Sequence, residues 1–174
     1  DIAWYQREIM VPSAWKGKRT FVTIGASDWR TTVYLDGKEL GSHDGGYTPF
    51  SFELTQHLTY DRPQSIVIRV DDVRRSFTLY GKQGYGNARG IWQTVYLESR
   101  GSNYLDALHV APDIDAGKVK VTAYLPAPAP QNTALQVNIN GNGQSFSASK
   151  TVPKGETEYR FELALPNARL WSLD

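Results

Sequence analysis

Residues 81–98 read Gly-Lys-Gln-Gly-Tyr-Gly-Asn-Ala-Arg-Gly-Ile-Trp-Gln-Thr-Val-Tyr-Leu-Glu, a glycine-rich loop that joins directly onto an alternating strand. The strand half carries apolar residues that a hydrophobic core can bury, namely Ile91, Val95 and Leu97. The loop half carries side chains that can contact a sugar, namely Lys82, Gln83, Tyr85, Asn87 and Arg89. Because loops on a rigid scaffold commonly carry binding residues, these five are the candidates for a substrate-proximal site.

Alternation of apolar and polar residues recurs along the whole chain. Ile66, Ile68 and Val70 show this period of two, and no helical period longer than about two turns interrupts it. Between two extended runs stands the dipeptide Asp36-Gly37, whose residue types favour the positive φ angles of a type I′ hairpin turn. The chain is therefore predicted to be all-β.

The pattern continues beyond a short linker at Gly101-Ser102-Asn103. Apolar positions within residues 119–125, 135–139 and 159–163 alternate with polar ones, as in sheets covered on one face. Short strands separated by turn signals favour β-sandwiches. We therefore predict one sandwich domain at residues 1–100 and a second at residues 103–174, with no internal repeat between them.

Composition excludes several classes of function. The 174 residues, 40% of them hydrophobic, can bury one large core or two small ones. A formal net charge of +1 lacks the basic excess of a nucleic-acid-binding surface. No apolar run approaches the roughly 20 residues of a membrane-spanning helix. The charge and the lack of such a run mean that neither nucleic acid nor a membrane is an expected partner. The absence of cysteine excludes disulfides, thiolate nucleophiles and cysteine-based zinc sites.

The 18 acidic residues form no recognisable catalytic pair. A glycosidase needs two carboxyl groups that face each other across the scissile bond. Acidic residues in the predicted strands occupy outward positions, and Asp71-Asp72 closes a strand, where a turn role is the simpler interpretation. The three histidines lack metal-pair spacing, and no Gly-x-Ser-x-Gly motif is present. We predict no catalytic residue, no metal and no cofactor in this chain.

The tryptophans are a second group of candidate sugar contacts, because an indole face packs well against the C–H groups of a pyranose. A small sandwich also needs bulky side chains to fill its interior, so most of them are expected in the core, with Trp15 the least certain. The five residues are Trp4, Trp15, Trp29, Trp92 and Trp171.

Several ordered motifs resemble the amino-terminal sugar-binding domain of glycoside hydrolase family 2. They span about residues 3–98 and comprise Trp4-Tyr5-Gln6-Arg7-Glu8 followed by Val11-Pro12, Gly25-Ala26-Ser27-Asp28-Trp29, Asp36-Gly37-Lys38-Glu39-Leu40-Gly41, His43-Asp44-Gly45-Gly46-Tyr47-Thr48-Pro49-Phe50 and Gly90-Ile91-Trp92-Gln93-Thr94-Val95. Residues 104–174 resemble the immunoglobulin-like second domain of that family, by their position and by the closing Leu170-Trp171-Ser172. The family contains β-galactosidases, β-glucuronidases and β-mannosidases.

The resemblance implies a galactose-binding-like jelly roll, without its first strands, followed by an immunoglobulin-like β-sandwich. It also implies a third domain, a (β/α)8 barrel that holds both catalytic glutamates and is absent from this chain. The chain alone is expected to be inactive, as an accessory segment of an enzyme that hydrolyses terminal β-galactosides, β-glucuronides or β-mannosides. Its expected partners are that barrel and the carbohydrate substrate, and the oligomeric state is left open.

In relatives, the loop before the Gly-Ile-aromatic motif reaches toward the barrel and can touch the outermost sugar. Several relatives carry an aspartate where this chain has Gly84. No acid lies between positions 72 and 98, a stretch that contains the four cations Arg74, Arg75, Lys82 and Arg89. One hypothesis is that the loop presents these cations to an anionic sugar such as a uronate. The alternative is a solvated basic loop.

Two other functions stay open at this point. The chain could act as a free-standing carbohydrate-binding module through aromatics such as Trp15 or Tyr85, or as a purely structural pair of sandwiches. Both ends read as cut from a longer protein. Because relatives are often exported, we expect a periplasmic or extracellular location.

Overall fold

The computed structural model describes residues 1–72 and 89–171. Of the described residues, 58% lie in strands and 4% in helices, which confirms the all-β prediction. The chain divides into two compact units, Asp1–Ser102 and Asn103–Asp174. Each unit has a hydrophobic core of its own.

Among its described residues, the first unit contains nine strands and two short 3-10 helices. The strands are β1 (Ile2–Met10), β2 (Arg19–Ile24), β3 (Ser27–Asp28), β4 (Arg30–Leu35), β5 (Lys38–Asp44), β6 (Phe50–Glu53), β7 (Pro63–Asp71), β8 (Gly90–Ile91) and β9 (Val95–Arg100), and the helices are Ser13–Trp15 and Thr55–His57. They form a four-stranded sheet in the order β1-β7-β4-β5, a three-stranded sheet in the order β6-β2-β9, and the pair β3-β8. All these pairings are antiparallel.

The core of the first unit is built from both larger sheets. On β7, the side chains of Ile66, Ile68 and Val70 are buried, while the residues between them are only half-buried. Val22 and Ile24 of β2, in the three-stranded sheet, belong to the same hydrophobic cluster. Burial of one such side chain stabilises the fold by about 1.5–3 kcal/mol. The unit is therefore a β-sandwich, in which the inner face of β7 follows the alternation in the sequence, whereas β2 and β4 bury consecutive residues.

The hairpin between β4 and β5 forms at the predicted dipeptide. Asp36 and Gly37 have φ angles of 49° and 79°, as a type I′ turn requires. The Asp36 carboxylate also accepts hydrogen bonds of 2.7 Å from the side-chain amide of Gln64 and from the backbone N–H of Ser65. Because both donors belong to β7, these bonds fasten the turn to the neighbouring strand of the sheet.

A groove of about 650 Å³ opens between β1 and β9. Its lining includes Tyr5 and Val95, which lie opposite the buried residues Ile68 and Ile24 and therefore belong to the core side of their sheets. Val95 nevertheless exposes 38% of its surface. Within the described residues, β1 pairs only with β7 and β9 pairs only with β2. Each of these strands thus has a free backbone edge next to an open part of the core.

Five strands make up the described part of the second unit: β10 (Ala107–Asp113), β11 (Lys118–Tyr124), β12 (Thr133–Gly141), β13 (Gln144–Val152) and β14 (Glu158–Ala164). They form one sheet in the order β10-β11-β14 and a two-stranded sheet of β12 and β13. Both sheets contribute to its core, for example through Val121 and Leu135. Leu108 and Val110 lie opposite core residues of β11, yet both side chains are about half exposed. The core of this unit is thus also open along one edge strand.

The expectation that most tryptophans lie in the core is wrong. Four of the five expose between 46% and 82% of their surface, namely Trp4, Trp29, Trp92 and Trp171. Trp15, the least certain of the five, is half-buried. The buried core positions are instead occupied mainly by aliphatic side chains. The indoles therefore occupy outer faces and connecting segments.

Candidate functional site

The predicted site lies only partly within the described residues. Lys82, Gln83, Tyr85 and Asn87 fall in the segment 73–88, outside the part of the chain that the structure describes. Arg89 is described and stands immediately before β8. Around β8 lies a group of partly exposed residues that we call the aromatic corner, defined as Asp28, Trp29, Tyr47 and Trp92. The corner and Arg89 are the described part of the candidate site.

Arg89 is held by carboxylates of its own unit. Its Nε lies 3.1 Å from Oδ2 of Asp72, and its Nη1 forms a second ion pair with Asp1. The Asp1 ammonium donates a hydrogen bond of 2.8 Å to the Asp72 carbonyl, so the three residues form one connected cluster. The Arg89 side chain is only 24% exposed. The geometry gives Arg89 a structural role, whether or not the same cation also reaches a substrate.

Gly90 explains why the motif after Arg89 begins with glycine. Its φ is 80°, a conformation that disfavours side chains. A Cβ at this position would lie 2.2 Å from the hydroxyl oxygen of Tyr5, far inside van der Waals contact. The same hydroxyl accepts a hydrogen bond of 3.3 Å from the backbone N–H of Ile91. Tyr5 of β1 thus packs closely against β8, next to the aromatic corner.

The aromatic corner is organised around the indole of Trp92. Its Nε1–H donates a hydrogen bond of 2.8 Å to the carbonyl of Gly46, which fixes the ring against the glycine turn. Tyr47 packs edge-on against this indole, with ring centroids 5.6 Å apart and 84% of the residue exposed. Trp29 is tied to the same turn, because its carbonyl accepts a hydrogen bond from the N–H of Gly45. The rings of Trp92 and Tyr47 are therefore held together, the backbone of Trp29 is joined to the same turn, and all three side chains remain about half exposed or more.

Asp28 supplies the carboxyl group of the corner. It pairs with Gly90 across the short β3-β8 sheet, and its Oδ1 lies 3.2 Å from the point where a Cβ of Gly46 would stand. Burial raises the pKa of Asp28, and the negative charge of Asp72 raises it further. Asp72 itself is engaged by Arg89. The corner therefore presents one carboxyl group of elevated pKa beside aromatic rings, an arrangement suited to contacting a sugar rather than to cleaving a glycosidic bond with two opposed carboxylates.

The described residues contain neither a candidate metal site nor a candidate membrane-spanning helix. In residues 1–72 and 89–171, no three His, Asp or Glu side chains converge closely enough to hold a metal ion. In the same residues, no helix has the length and hydrophobicity that crossing a membrane requires.

Residues 1–100 match the family model described as "Glycosyl hydrolases family 2, sugar binding domain". The match covers more than half of the chain and contains the whole aromatic corner. The chain belongs to glycoside hydrolase family 2. The family predicted from the motifs is thereby confirmed.

Curated members of glycoside hydrolase family 2 with similar sequences include two named for different sugars. A β-glucuronidase of Formosa agariphila is 29% identical over 114 residues, which cover 62% of this chain and 11% of the relative. A β-galactosidase of Thermoanaerobacter pseudethanolicus is 25% identical over 118 residues, which cover 64% of this chain and 16% of the relative. A β-glucuronidase of Rattus norvegicus is 23% identical over 97% of this chain and 29% of its own length. The chain thus spans less than a third of these relatives.

Solved structures of family 2 proteins share the fold. A family member from Bacteroides cellulosilyticus superposes with a TM-score of 0.76 at 18% identity, covering 98% of this chain and 24% of that chain. Bacteroides uniformis β-glucuronidase 2, covalently bound to cyclophellitol-6-carboxylate aziridine, gives a TM-score of 0.69 at 24% identity, covering 98% and 22%. At these identities the likeness establishes the fold.

Sequence reasoning missed most of the aromatic corner. Asp28 and Tyr47 were not among the predicted sugar contacts, and most tryptophans, which include Trp29 and Trp92, were expected in the core. One signal was available, since Gly45-Gly46 places an aromatic residue directly after a flexible turn. Convergence of that turn with β3 and β8 is a product of tertiary pairing, which a local pattern does not contain.

Proposed function

We propose that this chain is a non-catalytic accessory segment of a longer family 2 glycosidase that hydrolyses terminal β-glycosides. In this proposal the segment positions a catalytic (β/α)8 barrel and shapes the rim of its substrate cleft. The observation that carries the proposal is the aromatic corner, where a hydrogen bond to Gly46 fixes the Trp92 indole and Tyr47 packs against it, while both side chains remain open to solvent. Exposed aromatic groups that the fold holds rigid are typical of binding surfaces.

The position of the corner supports this role. Asp72 and Arg89 stand directly before and after the segment 73–88, which contains the predicted sugar-contacting residues. The corner adjoins Arg89 through Gly90 and Asp28. A substrate that contacts the corner would therefore lie close to where that segment begins and ends.

Hydrolysis of nitrophenyl galactoside, glucuronide and mannoside tests the proposal. The panel is run on this chain and on the longer protein that contains it. We expect no hydrolysis by the chain alone and hydrolysis by the longer protein. The glycoside that the longer protein hydrolyses best would identify its sugar specificity. Turnover by the chain alone would contradict the accessory role, and an inactive longer protein would remove the glycosidase assignment.

Replacement of Trp92 tests whether the corner touches the cleft. In the longer protein, Trp92→Ala is expected to raise KM for the preferred glycoside about fivefold with a smaller change in kcat, because a positioning contact is lost. Trp171→Ala removes an exposed indole from the second unit and is the control. Equal kinetics of the two variants would place the corner outside the cleft.

Preference for an anionic sugar is a finer proposal. It is supported by the excess of cations over acids between positions 72 and 98, and several similar proteins are named β-glucuronidase. Lys82→Ala and Arg89→Ala in the longer protein should each lower the ratio of glucuronide to galactoside hydrolysis. An unchanged ratio in both variants would contradict the proposal and favour the alternative, in which these cations are solvated and do not contact the substrate. A periplasmic or extracellular location stays a prediction.

A further inference from the structure

The outer face of the four-stranded sheet carries a second aromatic surface, remote in sequence from the β8 motif. Trp4 on β1 lies opposite Arg69 on β7, and Tyr34 on β4 lies opposite Val67 of the same strand. Because Ile66, Ile68 and Val70 point into the core, the alternating residues Val67 and Arg69 point outward. Trp4 and Tyr34 therefore lie on the outer face, one on each side of β7.

The two rings lean toward each other across β7. Their centroids are 6.3 Å apart and their planes differ by 30°, so the two rings are stacked in a nearly parallel orientation. Trp4 is 61% exposed and adds little to the core. The corner around Trp92 differs in this respect, since its Tyr47 ring stands at 70° to the indole and presents no shared plane. The exposed part of the Trp4 indole is therefore available for a ligand to stack on.

Polar groups with defined partners surround this surface. The Arg69 guanidinium lies 5.8 Å from the centre of the Trp4 ring, and its Nη2 contacts Oδ2 of Asp71 at 2.6 Å. On the other side of Trp4, the side-chain amide of Gln6 donates a hydrogen bond of 3.0 Å to the hydroxyl of Ser65. Donors and acceptors thus alternate along the edge of the aromatic surface. Such a rim can exchange hydrogen bonds with hydroxyl groups, each of which both donates and accepts.

The charge of the surface selects among sugars. Arg69 is neutralised by Asp71, and the nearby Arg30 is paired with Asp44 at 3.6 Å. Two further acids lie on this face, Glu39 opposite Tyr34 and Glu8 two residues after Gln6. The face therefore repels a carboxylate sugar, unlike the basic stretch between positions 72 and 98. The apolar C–H face of a pyranose packs on aromatic rings, while its equatorial hydroxyls reach a polar rim.

We propose that this face, defined by Trp4, Tyr34, Arg69 and Gln6, binds a neutral, extended β-linked oligosaccharide. One pyranose ring stacks on the Trp4 indole, and its hydroxyl groups bond to Arg69 and Gln6. The family model that matches residues 1–100 is described as a sugar-binding domain, which agrees with this class of ligand. Binding here needs no catalytic barrel, so the proposal goes beyond the accessory role and stands independently of it.

Calorimetric titration of the 174-residue chain with cellohexaose, β-1,4-mannohexaose and β-1,4-galactotetraose tests the proposal. We expect saturable binding of at least one of them, weakened about tenfold or more by Trp4→Ala and by Tyr34→Ala. Tyr34→Phe keeps the ring and should retain the affinity. Circular dichroism of each variant shows whether it is folded, and Trp171→Ala serves as the matched control for an exposed indole on the second unit.

Two results would overturn the proposal. One is the absence of saturable binding of all three oligosaccharides to the folded chain. The other is binding that Trp4→Ala and Trp171→Ala leave equally strong, which would place the ligand elsewhere. A face that instead mediated association between proteins would give no sugar binding and a Trp4-dependent change in sedimentation, and this too would contradict the proposal.

Discussion

The guanidinium of Arg89 lies 3.1 Å from the carboxylate of Asp72, and these two residues directly flank the segment 73–88. The contact therefore holds together the two described backbone positions on either side of residues 73–88. The attraction between a cation at one end of a chain segment and an anion at the other offsets part of the entropic cost of bringing those ends together. Both groups are about three-quarters shielded from solvent, so salt screens the pair less than an exposed one.

Arg89→Ala should destabilise the first unit by about 1 kcal/mol, the upper part of the range for partly exposed ion pairs. Asp72→Ala and the double variant complete a double-mutant cycle measured by chemical denaturation. We expect the double variant to be less destabilised than the sum of the single variants. Additive effects would show that the pair contributes nothing beyond its separate contacts with other groups, such as Asp1.

Gly90→Ala should be far more destabilising than Gly37→Ala. Both glycines have φ near 80°, so each substitution carries the left-handed strain of about 1–2 kcal/mol. Only Gly90 adds a clash, because its Cβ would meet the Tyr5 hydroxyl, whereas Gly37 has open space. Thermal denaturation of the two variants measures the difference. Tyr5→Phe removes the clashing oxygen and should restore part of the stability lost by Gly90→Ala, and a failure to do so would refute the proposed clash.

Asp36 should contribute stability that disappears in acid. Hydrogen bonds from Gln64 and Ser65 lower the pKa of Asp36 below its ordinary value. The stabilisation is therefore complete above the ordinary pKa and is lost as pH falls through the lowered pKa of the folded state. Asp36→Asn keeps a residue that tolerates positive φ but removes the charge. Melting temperatures from pH 7 to pH 2.5 should converge for the variant and the parent at the acid end, and parallel curves would contradict this origin.

Asp28 should show the opposite dependence. Burial and the charge of Asp72 raise the pKa of Asp28, so the folded state favours the protonated carboxyl. Ionisation of Asp28 therefore lowers the free energy of unfolding as pH rises from the ordinary pKa through the raised pKa of the folded state. Asp28→Asn should gain stability relative to the parent over this rise and keep the gain at neutral pH. A variant less stable than the parent at pH 7 would show that the charged carboxylate is needed by contacts that outweigh its burial.

The groove between β1 and β9 predicts how the sandwich is completed. Two free strand edges beside an open core fit an added β-strand, which can pair with an edge and insert alternate side chains. We expect the longer protein to supply such a strand. Val95→Asp should then be tolerated in this chain but destabilising in the longer protein, whereas Tyr96→Asp, on the opposite face of β9, should be mild in both. Equal tolerance of Val95→Asp in both proteins would mean that the groove stays open.

Much of the architecture was predictable because it rests on local chemistry. The period of two in Ile66, Ile68 and Val70 allows only one face of β7 to enter a core, and the structure buries that face. Asp36-Gly37 made the hairpin predictable, since few other dipeptides accept two positive φ angles in succession. The tryptophans were misplaced because hydrophobicity alone does not say whether the aliphatic residues suffice to fill the interior.

The candidate site was predictable only in part. Arg89 could be named from the sequence, but its partners Asp72 and Asp1 lie 17 and 88 positions away and meet it only through sheet pairing. Trp29, Tyr47 and Trp92 likewise come from three separate segments that hydrogen bonds to the Gly45-Gly46 turn bring together. By itself, then, the sequence determined the all-β class, the strand faces, the hairpin and the family, because backbone propensity and alternation act between near neighbours. Tertiary structure decided which aromatic rings remain exposed and which charges neutralise one another, because both depend on long-range packing that no local pattern encodes.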